Sequence, residues 1–167
     1  MASTALSIAE ICQTAKDASR ALATLGSDVK DRALEAMAAA LEQSSEQILE
    51  ANARDLEAGE ENGLSAALLD RLALNPSRVA AMAAGVRKIA ALPDPVGEVI
   101  DGATLPNGLQ MRRVRVPLGV IAVVYEARPN VTIDAAALCL KSGNAVVLRG
   151  SSSAAHSNAV LAAVASD

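Results

Sequence analysis

Residues 117–150, PLGVIAVVYEARPNVTIDAAALCLKSGNAVVLRG, decide the fold class of this chain. Gly119–Tyr125 is a continuous apolar run of strand length, as expected for a strand buried on both faces of a parallel sheet. A helix is predicted from about Asn130 to Ser142, where Gly143 stops it, and a second buried strand from Ala145 to Leu148. This order of strand, helix and strand predicts half of a doubly wound nucleotide-binding sheet.

The last predicted helix runs from about Ser153 to the end of the chain and carries no stop signal. A parallel sheet with only two core strands leaves an unpaired edge and an uncovered face. The pattern therefore predicts the front portion of a longer protein, with residues 117–167 forming the first half of a cofactor domain. Exposed strand edges recruit other chains, so aggregation or dependence on partner chains is expected.

Residues 1–95 have a helical period and are predicted to form a helical layer. Apolar residues spaced three and four apart predict a helix from Ser3 to Leu25, which Gly26 ends. Ser27 is the predicted N-cap of the next helix. Further helix starts are predicted at Ser44–Ser45, Ser65 and Asn75–Pro76, and Pro93 and Pro95 close the region.

Residues 96–116 switch from a helical to an alternating pattern. The segments 98–101 and 109–116 flank the turn signal Pro106-Asn107-Gly108. This arrangement predicts a hairpin or a pair of extended arms.

Composition and charge exclude several function classes. The formal charge is −4, aromatic residues make up 1% of the chain, and no dense basic tract occurs, so nucleic acid is a poor partner. Residues 1–62 hold 5 basic and 12 acidic side chains, whereas residues 63–167 hold 10 and 7. The mildly basic second part suits a small anionic ligand. The longest strongly apolar run, Val116–Tyr125, has half the length of a membrane span, so a soluble protein is expected. Two cysteines are too few for a disulfide scaffold, which favours a reducing cytoplasm.

Few residues of this chain suit catalysis by themselves. Cys139 lies among Ala and Leu in a predicted helix, which favours a core thiol over a nucleophile, and Cys12 and Cys139 are too few for a zinc site. His156 is the only histidine, so no metal site is predicted. Arg128 and Arg149 each follow a predicted strand at the edge where open parallel sheets bind ligands. Each is either a phosphate contact or a solvated strand end.

The segments YEARPNVT (125–132) and CLKSGNAVVLRG (139–150) resemble the gamma-glutamyl phosphate reductase family of the aldehyde dehydrogenase superfamily. The resemblance extends more loosely through the helical front, including ANARD (51–55), and covers essentially the whole chain. Members of this family are more than twice as long. The resemblance therefore implies an α/β fold in which an N-terminal helical layer precedes the first half of a Rossmann-like parallel sheet.

The same resemblance implies the second step of proline biosynthesis. NADPH would reduce gamma-glutamyl phosphate to glutamate 5-semialdehyde with release of phosphate, through a thioester on a cysteine located beyond Asp167. A thiolate suits this chemistry because it is both a strong nucleophile and a good leaving group. This chain alone is then expected to be inactive.

The resemblance also implies site residues and partners. Arg128 and Asn130 are expected near the substrate or its oxyanion. Tyr125, Arg149, Gly150 and Ser151 are expected to contact NADPH. Residues 96–116 would join subunits of a homo-oligomer, and glutamate kinase is a candidate partner. The alternative function is a short, non-catalytic helical interaction protein that retains a remnant of a cofactor domain.

Overall fold

The computed structural model describes residues 6–166, which form helices and two small sheets. The helices are α1 (Ile8–Leu22), α2 (Ser27–Gln43), α3 (Ser45–Glu61), α4 (Ala66–Leu72), α5 (Pro76–Ala90), α6 (Asn130–Lys141) and α7 (Ala155–Val164). The strands are β1 (Val99–Thr104), β2 (Gln110–Val114), β3 (Val120–Val124) and β4 (Ala145–Arg149). Among these residues no helix is both long and apolar enough to cross a membrane.

Two predicted helix boundaries in the front segment are wrong. Ser7 caps α1 through a reciprocal pair of hydrogen bonds with Glu10, so the helix begins later than Ser3 and ends at Leu22; Ser3 itself lies outside the described residues. Ser27 is not the N-cap of α2. Gly26 holds that position in extended backbone, while the Ser27 hydroxyl donates to Asp94 Oδ2 at 2.7 Å.

Other helix boundaries follow the sequence signals. The Asn75 side chain accepts a hydrogen bond from the Arg78 N–H at 2.8 Å and caps α5, with Pro76 in the first turn. The Ser65 side chain caps α4 in the same way. Gly143 follows the Ser142 C-cap of α6 and has φ +72°, a conformation that favours glycine. The final helix differs, because a 3₁₀ turn over Ser152–Ala154 precedes α7.

β3 and β4 pair in parallel, with Val120 opposite Ala145 and Val124 opposite Arg149, and α6 connects them. This is the predicted half of a doubly wound sheet. Burial of β3 on both faces is not found, because within residues 6–166 β4 is its only neighbour. Side chains along β3 alternate between exposed and half-buried, and Val124 is 77% exposed.

Residues 99–114 form an antiparallel hairpin, β1 paired with β2. Gly108, at φ +85°, closes the turn by donating to the Leu105 carbonyl. A cross-strand ion pair joins Asp101 to Arg113 at 3.2 Å. Every residue of both strands is exposed, including Ile100 and Met111. The hairpin therefore projects from the rest of the structure with unpartnered apolar side chains.

The hydrophobic core lies between the front helices and the helices of the parallel sheet. Buried side chains of α2, α3 and α5 pack against those of α6 and α7. Ala38, Ala83 and Ala137 are fully buried, one on each of α2, α5 and α6. Such small side chains let helix backbones approach closely while the interior stays densely packed. The helical front thus packs against the unit formed by β3, α6, β4 and α7.

Two buried lysines tie α2, α5 and α6 together. Lys30 is fully buried, pairs with Asp94 and donates to the Lys141 carbonyl at 3.2 Å. Lys141 donates to Asp31 Oδ1 at 2.5 Å and to the Ala90 carbonyl at 2.7 Å. Burial of Asp94 opposes its ionisation, but hydrogen bonds from Lys30, the Val96 N–H and Ser27 hold its pKa below the usual value.

Candidate functional site

Four predicted site residues meet at the carboxyl edge of the parallel sheet. Tyr125 directly follows β3, and its N–H donates to the Arg149 carbonyl at 3.1 Å. Gly150 and Ser151 continue the chain from the end of β4. The parallel register brings these residues together because both strands end at the same edge.

The Tyr125 hydroxyl is engaged inside this edge. It lies 2.6 Å from Thr132 Oγ1, which in turn lies 3.0 Å from Asn158 Oδ1. Gly150 sits beneath this chain of polar groups, since a Cβ there would overlap the Asn158 amide and press on the Tyr125 ring. A side chain at position 150 would therefore displace the Asn158 amide. The Tyr125 hydroxyl fixes the loop rather than pointing free into solvent.

The two loops after the strands are linked through Ser151. Its Oγ accepts a hydrogen bond from the Ala127 N–H at 3.3 Å and lies 2.6 Å from Ser153 Oγ. Ala127 has φ +42°, a strained conformation for a residue with a side chain, of the kind concentrated at functional loops. The exposed Arg149 guanidinium donates to the Gly150 carbonyl at 2.7 Å. An exposed arginine beside serine hydroxyls supplies donors suited to a phosphate or a ribose.

Arg128 and Asn130 line a cleft of about 420 Å³ at the start of α6. The cleft volume falls within the range of small-molecule sites. Its polar lining also includes residues that the sequence reasoning missed. These are Asp70, Arg71, Arg78 and Asp134.

A buried carboxylate that sequence reasoning also missed anchors the start of α7. Asp55 of α3 accepts hydrogen bonds from the backbone N–H of His156 at 3.0 Å and of Ser157 at 2.7 Å. Asn52, one turn earlier, donates to the Leu72 carbonyl and to Ser157 Oγ and accepts from the Leu74 N–H. The sequence does contain an indication of this anchor, because Asn52 and Asp55 lie on the face of α3 where a helix ordinarily places apolar side chains.

Because Asp55 already satisfies the first amides of α7, this helix start does not offer an anion site. An anionic group at the sheet edge would instead rely on Arg149 and the neighbouring serine hydroxyls. Donors to a phosphate at this edge would therefore come from side chains, and not from the helix N-terminus that often binds phosphate in other proteins.

The two cysteines occupy different environments. Cys139 is buried in α6, and burial raises the pKa of its thiol, which disfavours the nucleophilic thiolate. Cys12 is exposed on α1. Over residues 6–166, no group of three or more His, Cys, Asp or Glu side chains is arranged to hold a metal ion.

Comparison with known proteins identifies the class to which this fold and site belong. The sequence profile of the Aldehyde dehydrogenase family matches residues 1–167, and the chain belongs to that family. The resemblance noted for the segments 125–132 and 139–150 is also confirmed. Over 154 residues the chain is 64% identical to the gamma-glutamyl phosphate reductase of Moorella thermoacetica, covering 92% of this chain and 37% of that relative.

Solved structures agree with this relationship. The crystal structure of gamma-glutamyl phosphate reductase from Thermotoga maritima matches with a TM-score of 0.91 and 40% identity, over 94% of this chain and 38% of that one. The Saccharomyces cerevisiae structure of the same name matches with a TM-score of 0.90 and 32% identity, over 96% of this chain and 41% of that one. The chain therefore spans well under half the length of the relatives it matches, and the predicted α/β fold class is confirmed.

Proposed function

We propose that this chain is the N-terminal part of an NADPH-dependent reductase that converts gamma-glutamyl phosphate to glutamate 5-semialdehyde and phosphate in proline biosynthesis. The observation that carries the proposal is the 64% identity to a gamma-glutamyl phosphate reductase over 154 residues. The fold agreement with two solved reductases of that name supports it.

The carboxyl edge of β3 and β4 fits the adenosine side of NADPH, which when bound supplies the hydride. Arg149 is exposed and makes one hydrogen bond, to a carbonyl of the next residue, so its fork of donors can engage a 2′-phosphate. Ser151 offers a hydroxyl at the same edge, and Gly150 keeps the loop close to Tyr125. These four residues would hold the cofactor.

Arg128 and Asn130 would contact the substrate or its developing oxyanion, because both line the cleft at the start of α6. Neither cysteine of this chain suits the nucleophile. The Cys139 thiol is buried with a raised pKa, and Cys12 lies on α1, away from the cleft lining. The thioester-forming cysteine would therefore belong to a part of the protein outside these 167 residues.

The exposed hairpin would join subunits of a homo-oligomer in the cytoplasm. It presents apolar side chains on two strands whose residues are all exposed in the described structure, as expected for a surface that binds a partner chain. Glutamate kinase, which would make the acyl phosphate, is a candidate partner because that substrate is labile.

A chimaera tests the function directly. This chain would replace the matching residues of the Moorella thermoacetica relative, and phosphate-dependent reduction of NADP by glutamate 5-semialdehyde would be measured as the reverse reaction. We expect turnover near that of the relative. This chain alone is expected to show none.

An inactive but folded chimaera would contradict the proposed function. Turnover by this chain alone that is lost in Cys139→Ser would contradict both the location of the nucleophile and the structural role of that thiol.

A further inference from the structure

The cleft walled by α4, α5 and the start of α6 carries charges of both signs. Arg71 approaches from α4, and Arg128 from the loop after β3. Asp70 and Asp134 also line it. We propose that this cleft binds the α-amino acid end of the substrate, with the α-carboxylate on Arg71 and Arg128 and the α-ammonium on Asp134. The proposal rests on the function proposed above and deepens it.

The arginines of the cleft differ in whether they are already engaged. Arg78 donates to the Asp70 and Ala73 carbonyls at 2.5 and 2.6 Å and pairs with Asp70 Oδ1 at 3.0 Å. It therefore joins α4 to α5 and builds the wall. Among residues 6–166, neither Arg71 nor Arg128 forms an ion pair. Two unpaired guanidinium groups from separate elements suit one carboxylate.

The carboxylate on the acidic side of the cleft is also held in a fixed orientation. Asp134 Oδ2 accepts a hydrogen bond from Asn130 Nδ2 at 2.9 Å, which orients the carboxylate while leaving further acceptor positions. No basic side chain of the described chain lies within ion-pair distance of Asp134. An ammonium group is the ligand that such a carboxylate favours.

The charges that line the cleft favour one of the two anionic ends of the substrate, the acyl phosphate or the α-carboxylate. A phosphate dianion would be attracted by the two unpaired arginines but repelled by Asp134 in the same cleft. The charge of Asp70 is already compensated by Arg78. A zwitterionic amino acid head meets opposite charges on both of its groups. The cleft therefore suits the amino acid end, whereas Arg149 at the sheet edge suits a phosphate.

The primary experiment titrates the full 167-residue chain, labelled with ¹⁵N, with four probes and follows amide NMR shifts. L-Glutamate carries both head groups, glutarate lacks the ammonium, 4-aminobutyrate lacks the α-carboxylate, and inorganic phosphate tests for a simple anion site. We expect shifts at Arg71, Arg128, Asn130 and Asp134, with glutamate binding at least about tenfold tighter than the other three, as loss of a charged hydrogen bond predicts.

Three variants and one control sharpen the test. Arg71→Gln and Arg128→Gln should each weaken glutamate by about tenfold or more, and Asp134→Asn should weaken glutamate while leaving glutarate unchanged. Arg112→Gln, on the exposed hairpin, should change nothing. The proposal is overturned if phosphate or glutarate binds as well as glutamate, or if the cleft amides stay unmoved at about 20 mM, well above common KM values.

A second measurement applies even if the isolated chain associates. In the chimaera, Asp134→Asn should raise KM for glutamate 5-semialdehyde but not for glutarate semialdehyde, which has no amino group. If the chimaera is active but lacks this difference, the proposed role of the cleft is wrong, whereas the proposed reductase function is not contradicted. If the chimaera is inactive but the cleft still binds glutamate selectively, the proposed function is wrong, whereas the proposed role of the cleft is supported.

Discussion

The Asp55 carboxylate of α3 accepts two hydrogen bonds from His156, one from the backbone N–H at 3.0 Å and one from ring Nδ1 at 2.8 Å. Asp55 is 2% exposed and the His156 side chain is 55% exposed. The carboxylate is therefore the buried anchor, and the ring covers it. Through this contact, residues 101 positions apart fix the helical front to the start of α7.

Replacing Asp55 with Ala should strongly destabilise the chain. Two backbone N–H groups at the start of α7 would lose their acceptor in a buried place, which we expect to cost about 2–3 kcal/mol of unfolding free energy. Urea denaturation followed by circular dichroism measures this loss. His156→Ala is the control and should cost less than about 1 kcal/mol, since the backbone hydrogen bonds remain. Equal losses in the two variants would show that the ring, and not the cap, provides the stability.

Lys30→Met should also destabilise the fold, because Asp94 would lose its buried cation. Breaking a buried ion pair by removing one partner costs about 3–5 kcal/mol. The matched control is Arg32→Ala, which removes an exposed pair with Asp28 on the same helix and should change stability by less than about 0.5 kcal/mol. If thermal and urea unfolding of the two variants are alike, the buried network contributes no more than a surface pair.

The lowered pKa of Asp94 predicts an acid-dependent loss of stability. A carboxyl group whose folded pKa lies below its unfolded value stabilises the fold above about pH 4, and this contribution disappears as pH falls through the folded pKa. Unfolding free energy measured from pH 7 to pH 3 should therefore fall less steeply in Asp94→Asn than in the parent chain. Asp17→Asn, at an exposed pair on α1, should keep the parent slope. An unchanged slope in Asp94→Asn would remove Asp94 from the acid response.

Arg149→Ala should weaken NADPH binding more than NADH binding. The lost contact to a 2′-phosphate is worth about 1.5–3 kcal/mol, whereas NADH lacks that phosphate. Fluorescence titration of the chimaera with each cofactor gives the difference, and Arg113→Ala on the hairpin serves as the control. Equal weakening of both cofactors would make Arg149 a ribose or structural contact, and no weakening would make it a solvated strand end.

The isolated chain should associate in a concentration-dependent manner. β3 has one strand neighbour among residues 6–166, Val124 and Leu118 are largely exposed, and the hairpin presents further apolar side chains. Sedimentation velocity should detect oligomers or aggregates, and Val124→Lys should reduce them because an edge charge opposes strand pairing. A compact monomer with a single cooperative melt at all concentrations would contradict this prediction.

Local features of this protein were determined by the sequence itself. The parallel pair β3 and β4, the helix between them, and the cap at Asn75 follow from periodicity and turn chemistry acting over a few residues. The segments 125–132 and 139–150 sufficed to indicate the family. Even here, the cap of α2 was missed, since Gly26 and Ser27 are both acceptable there and Asp94 recruits the serine hydroxyl.

The tertiary structure alone decided which distant groups meet. Asp55 reaches the start of α7, and Arg71 shares a cleft with Arg128, only because the helices of the front pack on α6 and α7. Lys30 reaches Asp94 because α2 packs on α5. A buried polar side chain must find a partner, but the identity of that partner depends on helix packing and leaves no trace in local spacing. The charged cleft and the buried anchors therefore became visible only in the folded chain.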